Sequence, residues 1–277
     1  MGKNQAKPFV KWAGGKGQLL DKFGEVFPEE FNTYYEPMVG AGAVFFELNP
    51  EKAVINDINE DLIKTYGIVR DEVNDLIEIL KEFEKLHDKE FYYQKRGEFN
   101  LIKKENNPDY DLDLAARFIY LNRTCFNGLY RVNSSGEFNV PMGSYKNPTI
   151  CNEELLRVVS DRLQDTEIMC GDFKAAVESA GKDDLIYFDP PYDPVSKTSN
   201  FTEYTNGGFG DEDQKRLAKT FKKLSDRGVR VALSNSDTDF IRRLYKDFKI
   251  QKVKASRSIN CKSKGRGDVD ELIVTNF

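Results

Sequence analysis

Histidine is almost missing from this chain: His87 is the only one in 277 residues. It sits in a highly charged, helix-like stretch and reads as a solvated surface side chain. Ser-His-Asp chemistry is therefore excluded, and any catalysis must work without imidazole. Cysteine is sparse as well. Cys125, Cys151, Cys170 and Cys261 are scattered and form no C-x-x-C pair. That spacing excludes a zinc site, and no metal is expected. No run of about 20 apolar residues occurs, so no membrane span is expected. The N-terminus lacks the apolar stretch of a secretory signal, which points to a cytoplasmic protein. An excess of positive charge is absent too. The net charge is −5, the wrong sign for a nucleic-acid binder taken as a whole.

Charge distribution says more than its sum. Residues 252–266 carry Lys252, Lys254, Arg257, Lys262, Lys264 and Arg266 with no acid between them. Such a run is either a solvated loop or a strip that holds phosphates, and by itself it does not choose. The hydrophobic fraction of 39% suits a packed core. The length fits one large domain or two smaller ones.

Three blocks follow one another. Residues 1–65 are rich in glycine and aromatics, with short apolar runs near 34–36 and 53–55 that read as strands. Residues 66–151 open as charged helices. Val73, Leu76, Ile77, Leu80 and Phe83 recur at helical spacing, a stripe expected to pack into a core. Another helix is expected over 113–122, then a polar, glycine-containing stretch to 147. Beyond 152 the rhythm alternates: helix 153–163, strand 167–170, strand 185–188, helix 213–226, strand 229–233 and strand 271–275. Alternation of this kind indicates an α/β domain with a largely parallel sheet. The middle block, 66–151, then reads as an insertion between two halves, 1–65 and 152–277, of one α/β domain.

Two segments of that domain carry chemistry. Gly40 and Gly42 follow the first strand and open a helix, where a tight turn lets a ligand approach the backbone. The turn is neither a full G-x-G-x-x-G, since Phe45 stands at the third glycine, nor a P-loop. The second strand ends in Asp57, 15 positions after Gly42, where an acid accepts hydrogen bonds from ribose hydroxyls. A ribosyl cofactor suits both. Trp12, the only tryptophan, lies beside Gly14, Gly15, Lys11 and Lys16, as in a loop that covers a ligand, with Lys16 countering a carboxylate.

The apolar strand 185–188 runs into Asp189-Pro190-Pro191-Tyr192. Prolines cannot continue a sheet ladder, so the chain leaves the sheet there. Ligands of open α/β sheets bind at such carboxyl ends. The segment offers an acceptor-only carboxylate, a stiff backbone, a carbonyl freed from the ladder and an aromatic face. A delocalised exocyclic amine is a poor nucleophile. The Asp189 carboxylate and Pro190 carbonyl could accept its two hydrogens and push nitrogen toward a tetrahedral state, while Tyr192 stacks on a base flipped out of its duplex.

Taken in order, Lys11 to Lys16, Glu36-Pro37 through Gly40-Ala41-Gly42, Asn56-Asp57 and Asp189 to Tyr192 resemble the Dam-type (D12 class, alpha-group) DNA adenine-N6 methyltransferases. The resemblance spans nearly the whole chain. It implies a Rossmann-like, S-adenosylmethionine-dependent methyltransferase sheet with an inserted, mainly helical DNA-recognition domain carrying a β-hairpin. It implies Trp12, Lys16, Glu36, Gly40, Gly42, Asp57 and Asp189 at the cofactor, with Asp172 and Phe173 near its adenine. It implies Asp189, Pro190, Pro191 and Tyr192 at the target base.

Residues 121–133 and 136–141 are similar to the hairpin with which Dam-type enzymes read GATC. By that likeness Arg131 makes a bidentate contact to a guanine edge, and Leu129 and Pro141 touch a thymine methyl. Phe126 and Asn127 fill the gap left by the flipped base, and Lys11 meets the other guanine. Phe126 stands where relatives carry tyrosine. The basic run resembles the family's C-terminal segment, which favours phosphate binding. The expected partner is double-stranded DNA. Whether a cognate restriction endonuclease accompanies the chain, and its oligomeric state, stay open. The competing readings are an RNA adenine or protein amide methyltransferase and a DNA-binding regulator without catalysis.

Overall fold

A computed structural model describes residues 5–17, 20–105, 107–194, 208–256 and 268–277. Cys261, Arg257, Lys262, Lys264 and Arg266 lie outside the described residues. Seven strands form one sheet: β1 (Tyr34–Glu36), β2 (Ala53–Asp57), β3 (Thr166–Cys170), β4 (Leu185–Phe188), β5 (Arg230–Ser236), β6 (Lys249–Ser256) and β7 (Asp268–Thr275). Their order is β3-β2-β1-β4-β5-β7-β6. The first five are parallel, as the alternation of helix and strand requires, and β7 runs antiparallel between β5 and β6. The four residues of β4 are all buried, because helices cover both faces of the sheet.

The helices are α1 (Leu20–Val26), α2 (Ala43–Leu48), α3 (Glu60–Asp71), α4 (Val73–Lys85), α5 (Lys89–Glu105), α6 (Asp111–Thr124), α7 (Glu153–Leu163), α8 (Phe173–Ala176), α9 (Asp211–Asp226) and α10 (Asp239–Leu244). From β1 the chain moves outward through β2 to β3, then returns to place β4 on the other side of β1. The strand order thus reverses between β1 and β4. In open α/β sheets ligands bind beyond the carboxyl ends of the strands at such a reversal. The Gly40–Gly42 turn follows β1 there, and Asp189 follows β4. The architecture is the expected Rossmann-like α/β sheet.

The stripe on α4 is core: Leu76, Ile77, Leu80 and Phe83 are buried. They join one apolar cluster with Tyr34, Ile55 and Tyr187 of the sheet and Leu114, Phe118 and Leu121 of α6. Residue 65, where the sequence changes rhythm, falls inside α3. That helix is capped by Asn59, whose side chain accepts from Leu62 N at 3.0 Å, with Glu60 and Asp61 favouring its positive end. A second cluster, with Phe188, Phe221, Leu224 and Val231, fills the opposite face.

One expectation needs correction, and two readings gain detail. His87 is half-buried, not solvated: its Nδ1 lies 2.8 Å from Tyr120 Oη, edge-on to that ring. Partial burial lowers its pKa. The start of the basic run is strand, not loop, since Lys252 and Lys254 lie on β6. Lys252 is already paired with Asp270 at 2.7 Å and Asp237 at 3.6 Å. The hairpin after α6 has no continuous ladder. Its antiparallel pairing reduces to two isolated bridges, Cys125 to Met142 and Val132 to Phe138. Helix α5 supplies the missing partners: Asn100 exchanges two hydrogen bonds with the Phe138 backbone, and Tyr92 Oη donates to Val140 O at 2.9 Å.

Candidate active site

The glycine turn is built by exclusion. Gly40 adopts φ 49°, and a Cβ there would stand 2.7 Å from Trp12 Cδ1. Gly42 adopts φ 71°, and a Cβ there would meet Tyr66 Oη at 2.9 Å. Only glycine fits both. Trp12 therefore lies against the turn, and it stacks on Tyr130 at 5.7 Å. Phe45, at the absent third glycine, is fully buried against Phe46.

Asp57 ties the end of β2 to this turn. Its Oδ2 accepts from Gly40 N at 3.0 Å and its Oδ1 from Asn59 N at 2.9 Å. Burial raises its carboxyl pKa while these backbone donors oppose the rise. A carboxylate has about four lone-pair sites, so capacity remains for a diol. Beside it Ile58 is 61% exposed, an apolar face that no motif in the sequence marks. Asn56 donates to both Pro37 O and Gly171 O, joining the ends of β1, β2 and β3. Asp172 follows Gly171. It caps α8 and pairs with Arg216 at 2.5 Å. The Phe173 ring is buried edge-on to Phe188, with Arg216 over it, so it serves the core as well as any pocket.

Glu36 closes β1 inside the protein. Tyr34 Oη donates to its Oε2 at 2.8 Å. Burial, with repulsion from Asp189, pushes its carboxyl up to about 8 against the pull of Tyr34, the Phe45 N–H and Lys16.

Asp189 follows the carboxyl end of β4, its side chain 19% exposed. Lys16 Nζ lies 2.8 Å from its Oδ1, donates to Gly14 O at 2.7 Å and sits 4.6 Å from the centre of the Tyr192 ring. Ser234 Oγ donates to the same Oδ1 at 2.9 Å. Burial raises the Asp189 pKa, and Lys16 and Ser234 pull it back. Both protein contacts thus fall on one oxygen. Among the described residues no donor reaches Asp189 Oδ2 or the Pro190 carbonyl. Those two acceptors are left for a ligand.

Prolines deprive the segment after β4 of ladder donors, and side chains replace them. Gln214 Nε2 donates to Pro191 O at 2.9 Å, and Asp193 N donates to Asn235 Oδ1 at 3.2 Å. Ser236 Oγ donates to Asp193 O at 2.6 Å, and Tyr192 Oη to Glu271 Oε2 at 2.7 Å. None of Gln214, Ser234, Asn235 or Glu271 was singled out from sequence. The β4–β5 register, with Phe188 opposite Leu233, brings Ser234 level with Asp189.

The remaining predicted residues lie on and near the hairpin. Asn122 of α6 grips the Lys11 backbone on both sides, at 2.7 and 2.8 Å, and donates to Gly128 O. Lys11 Nζ lies over the Tyr145 ring at 4.2 Å. Phe126 is 51% exposed, and Asn127 beside it has φ 56°. The Phe126 N–H donates to the exposed Pro141 at 2.9 Å. Leu129 is half-buried against the core. Arg131 is exposed. Its Nε donates to Asn139 Oδ1 at 2.8 Å, which fixes the guanidinium and leaves its two outer nitrogens without an acid among the described residues.

Comparison with known proteins follows the same outline. The model of the D12 class N6 adenine-specific DNA methyltransferases matches residues 12–259. The chain is 47% identical to the type II methyltransferase M1.LlaDCHI of Lactococcus lactis subsp. cremoris, over 98% of this chain and 95% of that protein. It is 48% identical to the type II methyltransferase M.MjaIII of Methanocaldococcus jannaschii, over 99% and 100%. It is 38% identical to the DNA adenine methylase of Escherichia coli K12, over 99% and 96%. The chain belongs to the D12 class and is an adenine-specific DNA methyltransferase.

Proposed function

We propose that the protein transfers the methyl group of S-adenosylmethionine to N6 of an adenine flipped out of duplex DNA, within the sequence GATC. The observation that carries the chemistry is the pair of open acceptors, Asp189 Oδ2 and Pro190 O, beside a carboxylate oxygen already held by Lys16 and Ser234. Two N6 hydrogens match two acceptors. Drawing on both shifts the nitrogen lone pair out of the ring. Tyr192, fixed by Glu271, offers its face to the base.

The residues at the strand ends fit the cofactor. Gly40 and Gly42 keep the backbone clear of side chains, Asp57 has lone pairs for the ribose, and Ile58 offers an apolar surface to the adenine. Lys16 would supply a cation for the carboxylate end, and the cofactor's ammonium would draw Glu36, which burial raises to about 8, toward its ionised form. When bound, S-adenosylmethionine supplies an electrophilic methyl on a cationic sulfonium.

The GATC reading rests on Arg131, Leu129, Pro141, Lys11, Phe126 and Asn127 around the hairpin, and residues 66–151 are its target-recognition part. Arg131 has the exposure and the preset fork that a guanine edge needs. Double-stranded DNA is the partner this reading requires, with a cognate restriction endonuclease as a further candidate. We assign the protein to the cytoplasm, with its DNA.

Unmethylated plasmid DNA treated with the protein and labelled cofactor tests both levels. We expect label on adenine N6, and cutting by an endonuclease that requires methylated GATC. Label with no such cutting would remove GATC and keep the chemistry. Asp189→Ala is expected to abolish transfer, and a near-normal rate would remove Asp189 from its role.

A further inference from the structure

The β4–β5 register sets Ser234 beside Asp189, and behind Ser234 stands Tyr187, two residues before Asp189 on the same face of β4. Tyr187 and Ser234 are both fully buried. Tyr187 Oη lies 2.7 Å from Ser234 Oγ, and Ser234 Oγ lies 2.9 Å from Asp189 Oδ1. A serine hydroxyl has one proton. The ionised carboxylate can only accept, so that proton goes to Asp189. Tyr187 must then be the donor to Ser234, which fixes the direction of the whole chain.

We propose that Ser234, backed by Tyr187, is a positioning residue for methyl transfer: it pins Asp189 Oδ1 so that Oδ2 and the Pro190 carbonyl stay aimed at the adenine amine. This rests on the reading of Asp189 as the group that holds N6. Lys16 cannot do the pinning by itself. Its long side chain also donates to Gly14 O and lies over Tyr192, so its ammonium has competing attachments. Ser234 comes from the middle of the sheet, on a short side chain with one torsion, and its neighbours Asn235 and Ser236 clamp the same loop. The hydroxyl is therefore a rigid reference for the carboxylate plane.

A buried serine that merely satisfies its own polarity would give a different experimental outcome from one that orients Asp189. Ser234→Ala should lower kcat by on the order of ten- to a hundredfold, the worth of a hydrogen bond to a charged group. KM for DNA and for cofactor should change little. The ionisable groups facing Asp189 are Lys16, Glu36 of β1, Tyr34, Tyr187 and Tyr192. Loss of the Ser234 donor removes a stabiliser of the carboxylate, so the acid limb of the kcat–pH profile should move to higher pH. Tyr187→Phe keeps the ring that packs on Phe23 and should give a smaller loss in the same direction. The double variant should be no worse than Ser234→Ala, because both act through one chain.

Transfer to plasmid DNA from labelled S-adenosylmethionine measures all of this, with single turnover separating chemistry from release. Unchanged kcat and acid limb in a folded Ser234→Ala protein would overturn the proposal, as would losses that multiply in the double variant. Should Ser234→Ala fail to fold, Tyr187→Phe alone decides by the same two readouts. Asp189→Ala run in parallel separates the levels. An active Asp189→Ala protein defeats the underlying reading. An inactive one beside wild-type behaviour in Ser234→Ala defeats this inference alone.

Discussion

Glu36 ends a strand inside the protein, where a carboxylate is costly and a carboxylic acid is not. Burial holds its pKa near 8, against 4.5 in the unfolded chain. Its contribution to stability is then fully present below the unfolded value and is lost as pH rises through about 8. We expect the thermal midpoint to fall between pH 5 and pH 9, with Glu36 supplying on the order of a few kcal/mol of that slope. Glu36→Gln should flatten the curve, and melts at three pH values measure it. Gly40 makes a sharper case. Alanine there would need a left-handed backbone and would press on the Trp12 ring. Gly40→Ala should cost about 1–3 kcal/mol of stability and weaken S-adenosylmethionine binding at least tenfold, as read by calorimetry.

Helix α5 belongs to the stretch that reads as charged helices, and one face of it is exposed. Its other face carries Tyr92, Asn100 and Lys103 to the hairpin. Asn100 acts as a strand would, donating to Phe138 O and accepting from Phe138 N. Periodicity could not reveal this, because it marks apolar faces and Asn100 is polar. Periodicity did reveal α4, whose buried residues are the ones spaced as a stripe. The parallel strands were legible for the same reason: residues 185–188 are an unbroken apolar run bounded by turns. Strand β6 was not, since only Val253 is buried over residues 251–254 and lysines flank it. The site divides likewise. Asp189, Asp57 and the glycines sit in motifs, whereas Ser234 and Glu271 are recruited by sheet register. Asn100→Ala should leave two buried backbone groups unpaired, at about 1–3 kcal/mol each. The hairpin should loosen, and discrimination among DNA sequences should fall before cofactor affinity does. Competition binding beside cofactor titration tests that order.

At the scale of the whole molecule, Asp61 links the parts. It lies in the first turn of α3, four residues past Asp57, and is 7% exposed. Lys103 of α5 reaches its Oδ2 at 2.6 Å, and the hydroxyl of Tyr130, next to Arg131, donates to the same oxygen. Tyr130 in turn stacks on Trp12, which lies on the glycine turn. One carboxylate thus joins the glycine-turn side of the sheet, the helices over it and the hairpin. The apolar cluster beneath runs through all three without a break. A protein built this way should unfold in one transition, with tryptophan fluorescence and far-ultraviolet dichroism coinciding. Asp61→Ala would leave the Lys103 ammonium and the Tyr130 hydroxyl with only each other in a largely buried place, without the carboxylate that balances the charge, at about 3–5 kcal/mol. The thermal midpoint should drop while the transition stays single. Because none of the residues proposed to face DNA is altered, a loss of sequence discrimination at 25 °C, where the variant is still folded, is expected to come through the displaced hairpin. We expect that loss to match Arg131→Ala at one guanine, about 1–3 kcal/mol. Discrimination kept at the wild-type level, with the stability loss present, would show that the hairpin holds its own shape and that Asp61 serves the fold only.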